Sequence, residues 1–220
     1  MMNQKQEIAT DATVFVVDDD ESMTESISWL IESVGLPVKT YSSATEFLEK
    51  YTQGASGCLI LDVRMPGMSG LELQEVLKER GIRLPVIFIT GHGDVPMAIR
   101  AMKAGAFEFL TKPFNDQTLL DGINKAIEHD ANRREENAEL DEIRERINRL
   151  TPRETEVMKL VITGKLNKVV AVDLEISTKT VELHRAKIME KMQAGSLAGL
   201  VKMVLCVEHA DADEMMVAAA

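Results

Sequence analysis

The sequence predicts an α/β domain built on a five-stranded parallel sheet with helices on both faces. A long charged helix and an all-α domain of four helices follow it. Three observations carry this reading. Short apolar runs alternate with segments of helical apolar spacing up to about residue 125, the pattern of strands linked by covering helices. From about Asp116 the periodicity is helical throughout. A chain of 220 residues is also long enough for two modest domains.

The first run, 13–17, stops at Asp18-Asp19-Asp20-Glu21 and leads into a helix over 22–34. Runs at 37–41, 58–61, 85–90 and 106–110 supply the other strands, with helices over 44–51, 71–80 and 96–104 between them. The third run, Cys58-Leu59-Ile60-Leu61, is continuously apolar, as a central strand should be. Pro66, Gly67 and Gly70 then interrupt the chain before the next helix. Leu119, Leu120, Ile123, Ala126 and Ile127 form one face of a helix that closes a domain at 12–127.

Residues 128–149, "EHDANRREENAELDEIRERINR", read as a linker helix. Leu140, Ile143, Ile147 and Leu150 fall at 3-4-3 spacing, about two heptads, too few for an independent coiled coil. Either the helix is solvated or it pairs with its twin in a dimer. "TPRE" opens the second domain, 150–210, with Thr151 as N-cap, Pro152 in the first turn and Glu154 closing a capping box. Helices are expected over 152–163, 166–174, 178–192 and 196–209, and 211–220 is expected to be a disordered tail.

Composition narrows the function classes. The net charge of −11 argues against non-specific coating of nucleic acid. It is unevenly spread: 11 Lys+Arg against 18 Asp+Glu over residues 1–125, but 9 against 10 over 151–220. Within 165–191 basic residues lead six to four. No run approaches the roughly 18 apolar residues of a membrane span, and the polar N-terminus lacks a signal-peptide core. No membrane association and a cytoplasmic location are expected. Cys58 and Cys206 lie in apolar stretches without metal-ligand spacing and are expected to be buried, reduced thiols.

The polar residues at the strand ends carry the chemistry. The first strand delivers Asp18 and Asp19, the third Asp62, the fourth Thr90, the fifth Thr111-Lys112-Pro113, all at one edge of a parallel sheet. Taken singly, Asp20 or Asp94 is an ordinary helix cap. Clustered carboxylates repel one another unless a cation intervenes. Hard oxygens with room for water suit Mg²⁺, or Mn²⁺ in its place. Lys112 beside them favours a phosphoryl group, with Asp62 as a nucleophile that forms an aspartyl phosphate.

"VVDDDE", "LILDVRMPGMSG" and "FITGHGDVPMAIRAMKAGAFEFLTKPF" resemble the receiver domain of two-component response regulators over about 12–127. The resemblance implies the strand order 2-1-3-4-5 and a phosphoryl group passed to Asp62 from a histidine of a sensor kinase. It implies metal held by Asp18, Asp19, Asp62 and the backbone carbonyl of Arg64, phosphoryl contact by Lys112, and a cis Lys112–Pro113 bond. Thr90 and Phe109 match the family's switch pair. The responding surface is expected over Asp94 to Leu110, leading to a homodimer when phosphorylated.

In the second domain, Val181, Ile188 and Met192 lie within about 40° of one another on a helix at 100° per residue. Lys179, Glu182, Leu183, Ala186 and Lys187 face away, and His184 falls toward the core. Periodicity alone fits either a helix-turn-helix or a small bundle with a solvated face. The wording "LTPRETEVMKLVITGKLNKVVAVDLEISTKTVELHRAKIMEKM" resembles the LuxR-type DNA-binding domain in its FixJ-like branch. That resemblance implies phosphate contacts from Asn167, Lys168, Thr180 and Arg185. It turns Lys179, Glu182, Leu183, Ala186 and Lys187 toward base edges of promoter DNA. Two departures stand out: Glu175 occupies a turn position that is usually Gly, and Ala186 replaces a residue that is often polar. The expected whole is a phosphorylation-controlled transcription regulator, not an enzyme, with a sensor kinase, duplex DNA and RNA polymerase as partners. A phosphotransfer enzyme and a receiver-linked RNA-binding antiterminator are the alternatives. Arg64 stands where an enzyme of that kind would place its proton donor.

Overall fold

Successive side chains of a strand leave on opposite faces, and here both faces are apolar. The computed structural model describes residues 12–91 and 95–218. Strands β1 (Thr13–Val17), β2 (Val38–Tyr41), β3 (Gly57–Asp62), β4 (Val86–Thr90) and β5 (Glu108–Thr111) form one parallel sheet in the order β2-β1-β3-β4-β5. Phe15, Val17, Leu59, Leu61, Val86 and Phe88 point to one face. There they meet α2 (Ala44–Lys50), α3 (Gly70–Glu79) and α4 (Val95–Lys103) through Phe47, Leu73, Leu77 and Ala101. Val14, Val16, Cys58, Ile60, Ile87 and Ile89 point to the other. That face is covered by α1 (Glu21–Ser33) through Ile27 and Ile31, and by α5 (Asp116–Asn148) through Leu119, Ile123, Ala126 and Ile127. The central β3 is buried at all six positions, as its unbroken apolar run requires.

The chain separates into two units, divided after Arg134. The division falls inside α5, which runs unbroken for 33 residues. The linker expected over 128–149 is therefore no separate helix: it continues the helix begun at Asp116 as far as Asn148. Ile143 and Ile147 pack against the core of the second unit, and Leu150 is buried in it. Three of the four residues at that spacing thus pack within their own unit, and the fourth, Leu140, is half-buried outside that core.

The second unit comprises α6 (Pro152–Ile162), α7 (Asn167–Asp173), α8 (Thr178–Lys191) and α9 (Leu197–Ala218) around Val157, Met158, Val161, Val170, Val181, Ile188, Met192, Leu200 and Val204. The helix α9 continues to Ala218, so the tail expected from 211 is helical over most of its length. Ala, Met and Glu dominate "DADEMMVA", and such residues extend a helix already begun. Val169 and Val172 on α7 are exposed. Cys206 is exposed as well, contrary to the expectation of two buried thiols. Cys58 is buried, which pushes its thiol up to about 12.

The capping box before α6 is present. The Thr151 side chain accepts from the Glu154 N–H, and the Glu154 carboxylate accepts from the Thr151 N–H. Glu154 is buried and also receives Lys191 Nζ at 2.6 Å. That ammonium, with the Thr151 N–H, holds its carboxyl down at about 2. A depressed carboxyl contributes stability above its unfolded value of about 4.5 and loses it as pH falls toward 2. Because Lys191 is partly solvated, the contribution is on the order of 1–2 kcal/mol. Glu154→Gln is expected to lower the urea stability of the second unit by that amount at pH 7. The gap should narrow as pH falls below about 5 and close only toward pH 2; a gap independent of pH would contradict the assignment.

The turn between α7 and α8 has Glu175 at φ +54°, with its N–H on the Val172 carbonyl at 3.2 Å. A side chain in this left-handed region costs about 1 kcal/mol. Glu175→Gly is expected to raise second-unit stability by about 0.5–1 kcal/mol, read as a higher urea midpoint. A lower midpoint would show that the carboxylate is needed at the turn. A second such residue, Gln193 at φ +53°, ends α8 and was not foreseen.

Candidate functional site

Sheet register brings the acidic residues together. Val17 lies beside Leu61, so Asp18 and Asp62 leave adjacent strands at the same level. Asp62 lies beside Ile89, which sets Thr90 one residue further along. Thr90 in turn lies beside Thr111, and the Lys112 N–H donates to the Thr90 carbonyl at 2.8 Å. The Lys112–Pro113 peptide bond is cis, as expected. The resulting cleft, of about 220 Å³, is lined by Asp18, Asp19, Asp20, Asp62, Arg64, Thr90, Gly91 and Lys112. After Asp62 the chain turns back beneath it, where a Cβ on Gly70 would lie 2.2 Å from the Asp62 carbonyl oxygen. Only glycine fits there.

Both central carboxylates are buried, Asp18 at 2% and Asp62 at 5% exposure. Lys112 Nζ donates to Asp18 Oδ2 at 2.7 Å and to Asp62 Oδ1 at 3.1 Å. The Arg64 N–H donates to Asp62 Oδ2 at 2.6 Å, and the Asp20 N–H donates to Asp18 Oδ1 at 3.0 Å. Burial nevertheless raises the Asp62 carboxyl above its ordinary value, against the pull of Lys112. Burial alone would lower Lys112, but its bonds to Asp18 and Asp62 outweigh this and hold it above its usual range. Asp20 caps α1, accepting from the Ser22 and Met23 N–H groups at 3.0 and 3.3 Å.

Asp19 is exposed at the rim. Among the described residues, no three acidic, His or Cys side chains are grouped so as to hold a metal ion. The expected trio of Asp18, Asp19 and Asp62 is thus not preassembled: Lys112 occupies the point where two of them converge. The donor set still fits a hard divalent cation. Its side-chain donors are carboxylate oxygens, and two buried carboxylates with one ammonium leave the cleft negative.

Thr90 is buried at 1% exposure and lines the cleft. Phe109 is half-buried, its ring 6.3 Å from that of Phe88 and packed against the core of that face. Val95, Ile99 and Met102 on α4 are exposed, giving the expected responding surface an apolar character. Asp94 lies outside the described residues.

In the second unit, Val181, Ile188 and Met192 are buried, while Lys179, Glu182, Leu183, Ala186 and Lys187 on α8 are exposed together. Ser177 caps α8 by accepting from the Thr180 N–H at 3.1 Å. Lys168 is exposed in the first turn of α7. Arg185 Nη1 donates to Asn167 Oδ1 at 3.1 Å, so these two expected phosphate contacts also tie α8 to α7. His184 is half-buried, on the inward side where the spacing places it. Arg153 donates to the Leu174 carbonyl, bracing the end of α7, a role the sequence did not reveal.

Comparison with known proteins matches residues 14–124 to the response regulator receiver domain and residues 148–204 to bacterial regulatory proteins of the luxR family. Nodulation protein W of Bradyrhizobium diazoefficiens is 49% identical over 197 residues, covering 90% of this chain and 87% of that protein. Transcriptional regulatory protein FixJ of Rhizobium meliloti is 45% identical over 196 residues, covering 89% and 96%. The solved structure of response regulator StyR superposes with a TM-score of 0.80 at 48% identity, covering 89% of this chain and 98% of that one. Full-length FixJ from B. japonicum superposes with a TM-score of 0.56 at 40% identity, covering 91% and 98%. With both domains matched and relatives aligned over most of the chain, this protein belongs to the response regulators that join a receiver domain to a LuxR-type DNA-binding domain.

Proposed function

We propose that the protein is a transcription regulator switched by phosphorylation of Asp62 and acting on promoter DNA as a homodimer. The observation that carries this reading is the convergence of Asp18 and Asp62, both buried, on the single ammonium of Lys112 in an open cleft. A carboxylate kept from solvent yet reachable by a phosphoryl donor is a nucleophile in waiting. In the transfer an oxygen of Asp62 bonds to phosphorus, the phosphorus–nitrogen bond of a kinase phosphohistidine breaks, and the imidazole leaves with the electron pair. Lys112 then exchanges its carboxylate partner for a phosphoryl oxygen. Asp18, Asp19, Asp62 and the Arg64 carbonyl would hold Mg²⁺ or Mn²⁺, which supplies positive charge to offset that of the phosphoryl group.

The new group brings about −1.5 to −2 charges and three acceptor oxygens. The Thr90 hydroxyl is the donor that responds, and Phe109, with no hydroxyl of its own, follows by packing. The exposed Val95, Ile99 and Met102 form the surface through which two receivers associate. Lys179, Glu182, Leu183, Ala186 and Lys187 enter the major groove, with Asn167, Lys168, Thr180 and Arg185 on flanking phosphates. The second unit is nearly neutral, so one copy binds weakly and two linked copies bind well. RNA polymerase is the further partner of such a regulator, and the cytoplasm its location. Among the described residues no helix is long and apolar enough to cross a membrane.

Binding of the phosphorylated chain to genomic duplex fragments and to RNA hairpins separates the two classes of nucleic acid. Selective retention of duplex fragments is expected; preference for hairpins would refute the reading.

A further inference from the structure

The base of the receiver, opposite the phosphorylation cleft, holds a buried ionic cluster that the switch chemistry does not use. Asp130 on α5 is 0% exposed. Its carboxylate accepts from the Gly57 N–H at 3.0 Å, from Arg134 Nε at 2.7 Å and from Arg133 Nη2. Arg134 also donates to the carbonyls of Gly54, at 2.9 Å, and Ala55, and Arg133 donates to that of Arg83. One turn of α5 is therefore fastened to the segments leading into both β3 and β4. Gly57 packs directly on β1: a Cβ there would lie 1.8 Å from the Thr13 carbonyl oxygen, so only glycine fits. It is the first residue of β3, whose last is Asp62.

Beyond this cluster α5 has little to hold it. From residue 135 to 142 no side chain is buried, and packing resumes at Ile143. A charged helical stretch shorter than about 12–15 residues is marginal in water by itself. Its helicity depends on what anchors its two ends.

We propose that Asp130, Arg133 and Arg134 form a clasp that keeps residues 131–142 helical and so couples the phosphoacceptor strand to the DNA-binding unit. With the clasp closed, the segment is a stiff connection that begins on the first residue of β3. With the clasp open, it becomes a flexible tether, and a change at Asp62 no longer reaches the second unit. These are positioning residues, acting through Gly57 and the helix. The coupling role rests on the proposed control of DNA binding by Asp62; the helix-holding role does not.

The test uses the full chain with Asp130→Asn and Arg134→Gln. Arg134 is 36% exposed at its side chain, so its variant remains informative if loss of the buried carboxylate prevents folding. Three readings are taken: amide hydrogen exchange over 131–142, labelling by acetyl phosphate with Mg²⁺, and the ratio of DNA affinities with and without phosphorylation. Exchange about tenfold faster or more is expected, with labelling as in the unsubstituted chain. A phosphorylation-dependent gain of about tenfold should shrink to about twofold or less. A purely structural role would lower both affinities and leave their ratio intact, which would overturn the coupling. Unchanged exchange in Arg134→Gln would overturn the clasp. If the unsubstituted chain shows no gain on phosphorylation, the proposed function fails, while the exchange reading still decides whether the clasp holds the helix.

Discussion

Asp62→Asn is expected to abolish phosphoryl uptake from acetyl phosphate in the presence of Mg²⁺ while leaving the fold intact. An amide oxygen carries no negative charge and forms no stable acyl phosphate. The replacement is close to isosteric, and its carbonyl oxygen can still accept from the Arg64 N–H or from Lys112, the two donors that Asp62 uses. It also removes one of two buried carboxylates competing for a single ammonium. Thermal stability should therefore be equal or higher, which separates loss of chemistry from loss of structure. Labelling of the variant at the unsubstituted level would move the acceptor elsewhere, with Asp18 and Asp19 the nearest candidates. In the metal-free cleft, burial raises the Asp62 carboxyl; a cation bound beside it acts in the opposite sense and favours the charged nucleophile.

Lys112→Met is expected to destabilise the receiver by about 2–3 kcal/mol, and added Mg²⁺ should restore much of the loss. Removing one partner of a buried ionic group leaves the other uncompensated, typically a loss of about 3–5 kcal/mol. Here the cleft opens to water, which screens the uncompensated charge and brings the loss to the bottom of that range or somewhat below it. The methionine keeps the stem of the lysine but leaves Asp18 and Asp62 adjacent and unneutralised. A divalent cation answers the same excess of charge, so the Mg²⁺-dependent gain in the denaturation midpoint should be larger in the variant. A variant as stable as the parent, or insensitive to Mg²⁺, would show that Lys112 does not neutralise the pair.

The receiver was legible because its chemistry lies where local pattern changes character. Cys58 to Leu61 announces a central strand, and Asp62, Asp18, Thr90 and Lys112 each follow an apolar run. Parallel strands of similar length then gather these residues at one edge. Capping by Asp20 and Thr151 was legible for the same reason, being local in sequence. Features that depend on distant partners were not. Asp130 with Arg133 and Arg134 reads as one more helical charge cluster, yet its carboxylate is buried against Gly57, 73 residues away. Ile143 and Ile147 have the spacing of a dimer seam, but the spacing does not say which surface covers them. Val172 and Cys206 share their apolar neighbourhoods with core residues and differ from them only in the direction they face. The bridging of Asp18 and Asp62 by Lys112 likewise follows from strand register, which the sequence carries only indirectly.

The central claim is that chemistry at Asp62 controls DNA binding by the second unit. Its most direct measurement is the affinity of the full chain for its promoter fragment, with Mg²⁺, in the presence and absence of beryllofluoride as a phosphoryl mimic. Affinity should rise about tenfold or more, together with a shift toward dimer in sedimentation, and both changes should vanish in Asp62→Asn. Equal affinity with and without the mimic, in a chain shown to bind it, would contradict the claim.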